Sequence, residues 1–143
     1  MPLTWRTGRL YTVTGTAPGA GNEISVTVPA GVLWELVAVR VDLAQGATQT
    51  PQPLLQIDDG ATVICESLGS SAAQAASTTC RYTWAPNLAL TGQVGSGTSV
   101  RSTGALPPGL VLSAGAHIKT LTLGIGANTT YSAPVLFVRE YTS

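Results

Sequence analysis

The residues able to do chemistry in this 143-residue chain are few. His117 is the only histidine. A Ser-His-Asp triad and a Cys-His pair each need an imidazole, and a multi-histidine metal site needs several. His117 lies in "AGAHIKT", just inside a strand-like run, and is expected to be a structural or surface residue. Asp58 and Asp59 invite a carboxylate reading, as a calcium pair or as general acid and base. Calcium takes about six to eight oxygens, commonly from a spaced acidic loop, and the next acid, Glu66, falls on a strand-like segment. Asp58-Asp59-Gly60 is therefore expected to be a hairpin turn. A glycosidase-like pair among Glu23, Glu35, Glu66 and Glu140 is open to the sequence but not expected, with seven acids spread over the chain. "GQVGSGTS" carries glycines but neither the Gly-Lys-Ser/Thr ending nor the following helix of a phosphate loop. No catalytic, cofactor-binding or metal-ligating residue is assigned, no cofactor is expected, and the chain is not expected to be an enzyme.

Aromatic and basic side chains offer binding instead. Trp34 and Trp84 sit inside apolar runs and are expected in the core. Trp5 stands in a polar N-terminal stretch, "MPLTWRTGRLYTVTG", beside Arg6, Arg9, Leu10 and Tyr11. Trp, Tyr and Arg are enriched at protein interfaces. This arm either joins a sheet near Leu10 or crosses to a neighbouring subunit. The candidate contact residues are Trp5, Arg6, Arg9 and Tyr11, with Val100 and Arg101 of a Gly/Ser/Thr-rich segment second.

Bulk properties narrow the partners. Seven acids balance seven bases, so the basic stripe of a nucleic-acid binder is missing and no nucleic-acid partner is expected. Charged residues make up 10% of the chain, against about 25% in soluble domains. A weakly charged surface near neutrality favours association. No apolar run approaches the roughly 18 residues of a membrane helix, and no membrane partner is expected. The first ten residues lack a signal-peptide core, which predicts synthesis without secretion. Cys65 and Cys80 are then expected to be buried free thiols.

The elements that position these residues are strands. "NEISVTV" alternates Ile24, Val26 and Val28 against Glu23, Ser25 and Thr27, the period of a half-buried strand. "VPAGVLWELVAVRVDL" starts at a Pro29-Ala30-Gly31 corner and places Val37, Val39, Val41 and Leu43 on one face. Trp34, Leu36 and Ala38 lie on the other face, which predicts a central strand covered on both sides at its start. "PLLQI" and "ATVICES" flank the Asp-Gly turn. "TCRYTW", "LPPGLVLSAGAHIKTLTLG" and "APVLFVREY" supply further strands, and residues 91 to 105 are expected to form a long loop. Residues 70 to 80 allow a single helical turn at most. Gly31 and Gly115, in two similar Ala-Gly corners, are placed to take positive φ. About eight strands without crossover helices predict an all-β, antiparallel β-sandwich of jelly-roll type with little or no helix. Residues 1 to 15 would be an extended arm leading into the first strand, and 16 to 143 a single jelly-roll domain.

The order "GAGNEISVTVPAGVLWELVAVRVDL", "PLLQIDDGATVI", "QAASTTCRYTWAP" and "LPPGLVLSAGAHIKTLTLGIGANTTYSAPVLFVREY" resembles a family of small tailed-bacteriophage virion proteins. The signals are a PAG-x-x-W strand opening, an alanine-rich approach to Tyr-x-Trp-Ala-Pro, and LPPG-L-x-L-x-AG-x-x-I-x-T. They cover residues 19 to 141. Similar sequences often carry an aspartate where this chain has "GANTTYSAP". The resemblance implies a single jelly-roll domain and a structural role. That role is capsid decoration (cement) or another structural part of head or tail. Capsid decoration is the one expected, by a protein made in the host cytoplasm, bound to the major capsid protein at the virion surface and, because shells offer three-fold positions, self-associated as a homotrimer. It supplies no catalytic residues. The alternative is a tail or baseplate jelly-roll module that binds a host-surface glycan, for which an exposed aromatic-and-carboxylate cluster would speak.

Overall fold

A computed structural model describes residues 8 to 142. Eleven strands form two sheets, with no helix among the described residues. The all-β two-layer architecture is the one expected, with more and shorter strands. The larger sheet has the path β1 (Arg9–Thr14), β11 (Val135–Thr142), β3 (Val32–Gln45), β6 (Thr79–Pro86), β7 (Val100–Leu106), and β8 (Val111–Leu112) and β10 (Thr129–Tyr131) also pair with β3. The smaller sheet runs β2 (Ser25–Thr27), β9 (His117–Leu123), β4 (Gln52–Asp58), β5 (Val63–Leu68).

β3 is the central element because both of its edges are fully used. One edge pairs with β11 and then β10, the other with β8 and then β6. Its two faces do not behave as the sequence predicts. Opposite Phe137 and Val138, which are consecutive, β3 presents Ala38 and Leu36, so Val37 is an extra residue in a β-bulge. The bulge exchanges the faces. Trp34 and Leu36 point into the core before it, and Val39, Val41 and Leu43 after it. One covered face replaces the two expected.

The Ala-Gly corners are positive-φ turns, Gly31 at 80° and Gly115 at 87°. They also meet. Val28 N donates to the Ala116 carbonyl at 2.9 Å and Gly115 N to the Val28 carbonyl at 3.0 Å. The Asp-Gly hairpin forms as expected. Gly60 N donates to Asp58 Oδ1 at 2.8 Å, while Ala61 N and Thr62 N donate to Asp59 Oδ1 at 2.9 and 2.7 Å.

Three other departures have local causes. "NEISVTV" yields only Ser25–Thr27 as strand, because Ile24 N bonds the Thr120 hydroxyl at 2.9 Å instead of a ladder carbonyl. Residues 100 to 106 are strand β7 rather than loop, and β7 runs parallel to β6 in an otherwise antiparallel structure. Its inward residues are Val100, Ser102, Gly104 and Leu106. Gly104 leaves room for Trp84, Ser102 donates its hydroxyl to the Gly69 carbonyl at 2.7 Å, and the two small residues hide the apolar alternation. Residues 70 to 78 form no helical turn. Their anchor is the buried Gln74, whose Nε2 donates to the Leu43 and Thr78 carbonyls at 2.9 and 3.0 Å and whose Oε1 accepts from Tyr82 OH at 2.9 Å.

Trp34 and Trp84 are core residues, as expected. Cys65 and Cys80 are both free; Cys80 is buried and Cys65 half-buried. Burial pushes the Cys80 thiol up to about 11 and raises Cys65 as well.

Candidate functional site

The predicted contact residues do not converge on one place. Trp5 and Arg6 lie outside the described residues. Arg9 opens β1 and is exposed, and Tyr11 is half-buried on the same strand. Residues 9 to 14 are thus a strand of the larger sheet, antiparallel to β11, so this stretch does join a sheet near Leu10. Val100 starts β7 and is buried, 6% exposed, its remaining surface lining a small cleft beside Arg101. Arg101 is exposed beside its ladder neighbour Arg81. β1 and β7 are at opposite ends of the five-strand path, about 19 Å apart at the usual strand spacing.

Each region has its own electrostatics. On β3 and β6, the Arg81 guanidinium donates from Nε to Asp42 Oδ1 at 2.8 Å and from Nη2 to Oδ2 at 3.0 Å. These bonds hold the Asp42 carboxyl below the usual carboxylate range. Beside the pair, a cleft of about 80 Å³ is lined by Thr79, Thr98, Ser99, Val100 and Arg101, so the second pair of predicted contact residues does share a site. Near β1, Glu140 Oε2 accepts from Trp34 Nε1 at 2.8 Å and also from Tyr11 OH. This is an aromatic-and-carboxylate cluster of the kind a sugar site uses. The Trp34 indole is 2% exposed, however, and offers no stacking face. Among the described residues, no group of three or more His, Cys, Asp and Glu side chains is placed to hold a metal ion.

The most unusual surface is the outer face of the smaller sheet. Ile118 points inward on β9, and period-2 alternation then sends Thr120 and Thr122 inward and Leu121 and Leu123 outward. The threonines are 4% and 6% exposed and the leucines 44% and 54%. This inverts the usual burial preference. The buried hydroxyls are provided for: Thr120 Oγ1 donates to Glu23 Oε2 at 2.5 Å and Thr122 Oγ1 to the same oxygen at 2.9 Å. Thr122 N donates to Glu23 Oε1 at 2.6 Å, and Thr122 Oγ1 also meets Tyr131 OH at 2.5 Å.

Outside, Leu121 is opposite Leu54, which is opposite Leu68, so a leucine row crosses β9, β4 and β5. Leu123 extends it beside Gln52. The next rows are polar. Lys119, Gln56 and Glu66 align across the same three strands, with Gln56 Nε2 donating to Glu66 Oε1 at 2.6 Å. His117 then meets Asp58, whose Oδ1 is 2.7 Å from the imidazole Nδ1 and whose Oδ2 is 2.7 Å from Lys119 Nζ. Lys119 first, then His117 and the Gly60 amide, hold the Asp58 carboxyl far below the usual range. His117 is therefore a paired surface residue, as expected. The sheet presents an apolar half beside an ionic half, and this leucine row was not legible as a site. Its one signal was "HIKTLTL" itself, in which an inward Ile118 forces the leucines out.

No family model matches the chain, and no curated protein matches it. A chain from the structure of the infectious bursal disease virus Gx strain is similar over 96% of this chain and 36% of its own length, at 12% identity and a TM-score of 0.45. The present chain thus spans about a third of that one.

Proposed function

We propose that this chain is a structural protein of a tailed-bacteriophage virion, made in the host cytoplasm, that decorates the capsid surface and stabilises the shell by binding the major capsid protein. The observation that carries this reading is the inverted polarity of β9. A strand that buries two threonines and a carboxylate-centred network while exposing two leucines is built for an adhesive outer face. The resemblance over residues 19 to 141 supplies the kind of partner. Covering the exposed parts of Leu121 and Leu123 contributes about 1 kcal/mol each, so a single copy binds modestly and self-association multiplies the contacts.

The test is to add purified protein to undecorated shells of the parent phage. Wild type should saturate the shells, and Leu121→Glu should lose at least tenfold in occupancy at unchanged melting temperature. Equal occupancy by the variant would remove the leucine row from the account.

A further inference from the structure

Four strands end the main paths of the two sheets, and three of those edges are protected; β8 and β10, which pair only with β3, are two and three residues long. β2 is three residues long. β5 carries Glu66, bulges at Ile57/Asp58 in its pairing with β4, and has its Ser67 and Leu68 carbonyls taken by Trp84 Nε1 at 3.1 and 3.2 Å. β7 is covered by residues 89 to 94, through Val94 N to the Arg101 carbonyl at 2.9 Å, the reverse bond at 2.9 Å, and Thr91 N to the Thr103 carbonyl at 3.1 Å. Short strands, charges, bulges and covering loops are the devices that keep sheet edges from pairing. β1 has none of them along Leu10–Thr14. Its only charge, Arg9, is at its end, and no described residue pairs with its outer edge.

The direction of the exposed backbone groups follows from the ladder. Gly15 N donates to the Pro134 carbonyl at 2.9 Å, continuing the register in which Thr14 faces Val135. Hydrogen-bonded pairs alternate in an antiparallel ladder, so Arg9, Tyr11 and Val13 bond β11. Leu10, Thr12 and Thr14 turn their N–H and C=O groups away from it.

We propose that β1 pairs antiparallel with β1 of a second copy of this chain about a two-fold axis at Thr12, joining the two larger sheets into one. This is the isologous geometry of a two-fold dimer, achieved by strand addition. In this register Thr12 faces the partner's Thr12, and Leu10 faces the partner's Thr14. All three outward-bonding residues then find outward-bonding partners, each pair exchanging two hydrogen bonds. On the inner face Tyr11 meets the partner's Val13, an aromatic and β-branched cross-strand pair of the stabilising kind. Arg9 meets the partner's Gly15, so no like charges oppose. A centre at Tyr11 instead would set Thr14 opposite Gly8, outside the strand, and Tyr11 opposite its own copy. The assembly is a pair, unlike the homotrimer expected from the three-fold positions of a shell, and it holds whether or not the chain binds a shell.

A six-residue edge buries little area and belongs to the weak class of interfaces. The full chain is therefore followed by sedimentation equilibrium from about 10 μM to about 1 mM, a range that resolves weak affinities. The mass should rise toward twice the 14.6 kDa chain. Thr12→Pro removes an N–H that points away from β11, and edge strands tolerate proline there. It should leave the melting temperature unchanged and hold the mass at one chain. Thr12→Lys sets two charges opposite each other and should do the same, which covers the case in which the proline misfolds. Register is read by oxidation: Thr12→Cys alone cross-links, whereas Leu10→Cys and Thr14→Cys cross-link only when mixed. A monomer throughout the range, a trimer, or a dimer unmoved by both Thr12 variants would overturn the proposal.

Discussion

Gly104 of β7 lies beside Trp84 of β6 in the parallel ladder, and the indole occupies the space a side chain at Gly104 would take. A Cβ there would sit 2.7 Å from the indole Cδ1 and would run into the Leu68 carbonyl oxygen. Gly69 approaches the other end of the same ring, where a Cβ would be 2.6 Å from Cζ2. The indole Nε1 donates to the carbonyls between, so the contact also ties β5 to the larger sheet.

Gly104→Ala should therefore destabilise strongly for so small a change. Overpacking costs about 1–3 kcal/mol where the neighbours can move, and here one neighbour is backbone. A loss of about 3 kcal/mol by urea denaturation is expected, against under about 0.5 kcal/mol for alanine at the exposed Gly97, where a Cβ meets nothing, once the strain of its positive φ is allowed for by comparison with Gly97→Asn.

Glu23 gives a second test of the inverted strand. Its carboxylate accepts from two threonine hydroxyls and one backbone amide. Leaving a buried donor without an acceptor costs about 1–3 kcal/mol. Glu23→Ala should lose about 3 kcal/mol in chemical denaturation, and Glu23→Gln less. A loss below about 1 kcal/mol would mean that the buried threonines do not depend on it.

Acid should weaken the fold through its paired aspartates. Asp58 is held down by Lys119, His117 and Gly60, and Asp42 by Arg81. A carboxyl lowered in the folded state stabilises fully above its unfolded value, near about 3.9. That contribution is lost as pH falls toward the folded value. Asp58→Asn should be less stable than wild type at neutral pH, and the two curves of melting temperature against pH should begin to approach each other as pH falls below about 4 and keep closing toward the folded value. Parallel curves would contradict the pairing.

The two thiols should separate kinetically. The thiolate is the reactive form, and Cys80 is both buried and raised to about 11. Near pH 8, a thiol-specific disulfide reagent should label Cys65 in the native protein and reach Cys80 only after unfolding. Two fast thiols in the native state would contradict the burial.

Much of the fold was legible because its signals are local. The Asp-Gly hairpin, the two Ala-Gly corners and the core placement of Trp34 and Trp84 follow from residue type and short-range pattern. What escaped depends on partners distant in sequence. The Val37 bulge exchanges the faces of β3 only because β11 has one residue fewer there. β7 looked like a loop because Gly104 is small for the sake of Trp84 and Ser102 for a hydroxyl bond to the Gly69 carbonyl. The candidate surface was hidden by the same kind of cause: Leu121 and Leu123 look like core until Ile118 fixes which way β9 faces, and Glu23, ninety-nine residues from Thr122, makes that orientation tolerable.

The central claim is that this chain works by adhesion as a virion component, and its copy number in purified particles of the parent phage tests that most directly. Quantitative mass spectrometry should find it in an amount comparable with the major capsid subunit. Absence from the particle, or only a few copies per particle as at a tail tip, would contradict the account.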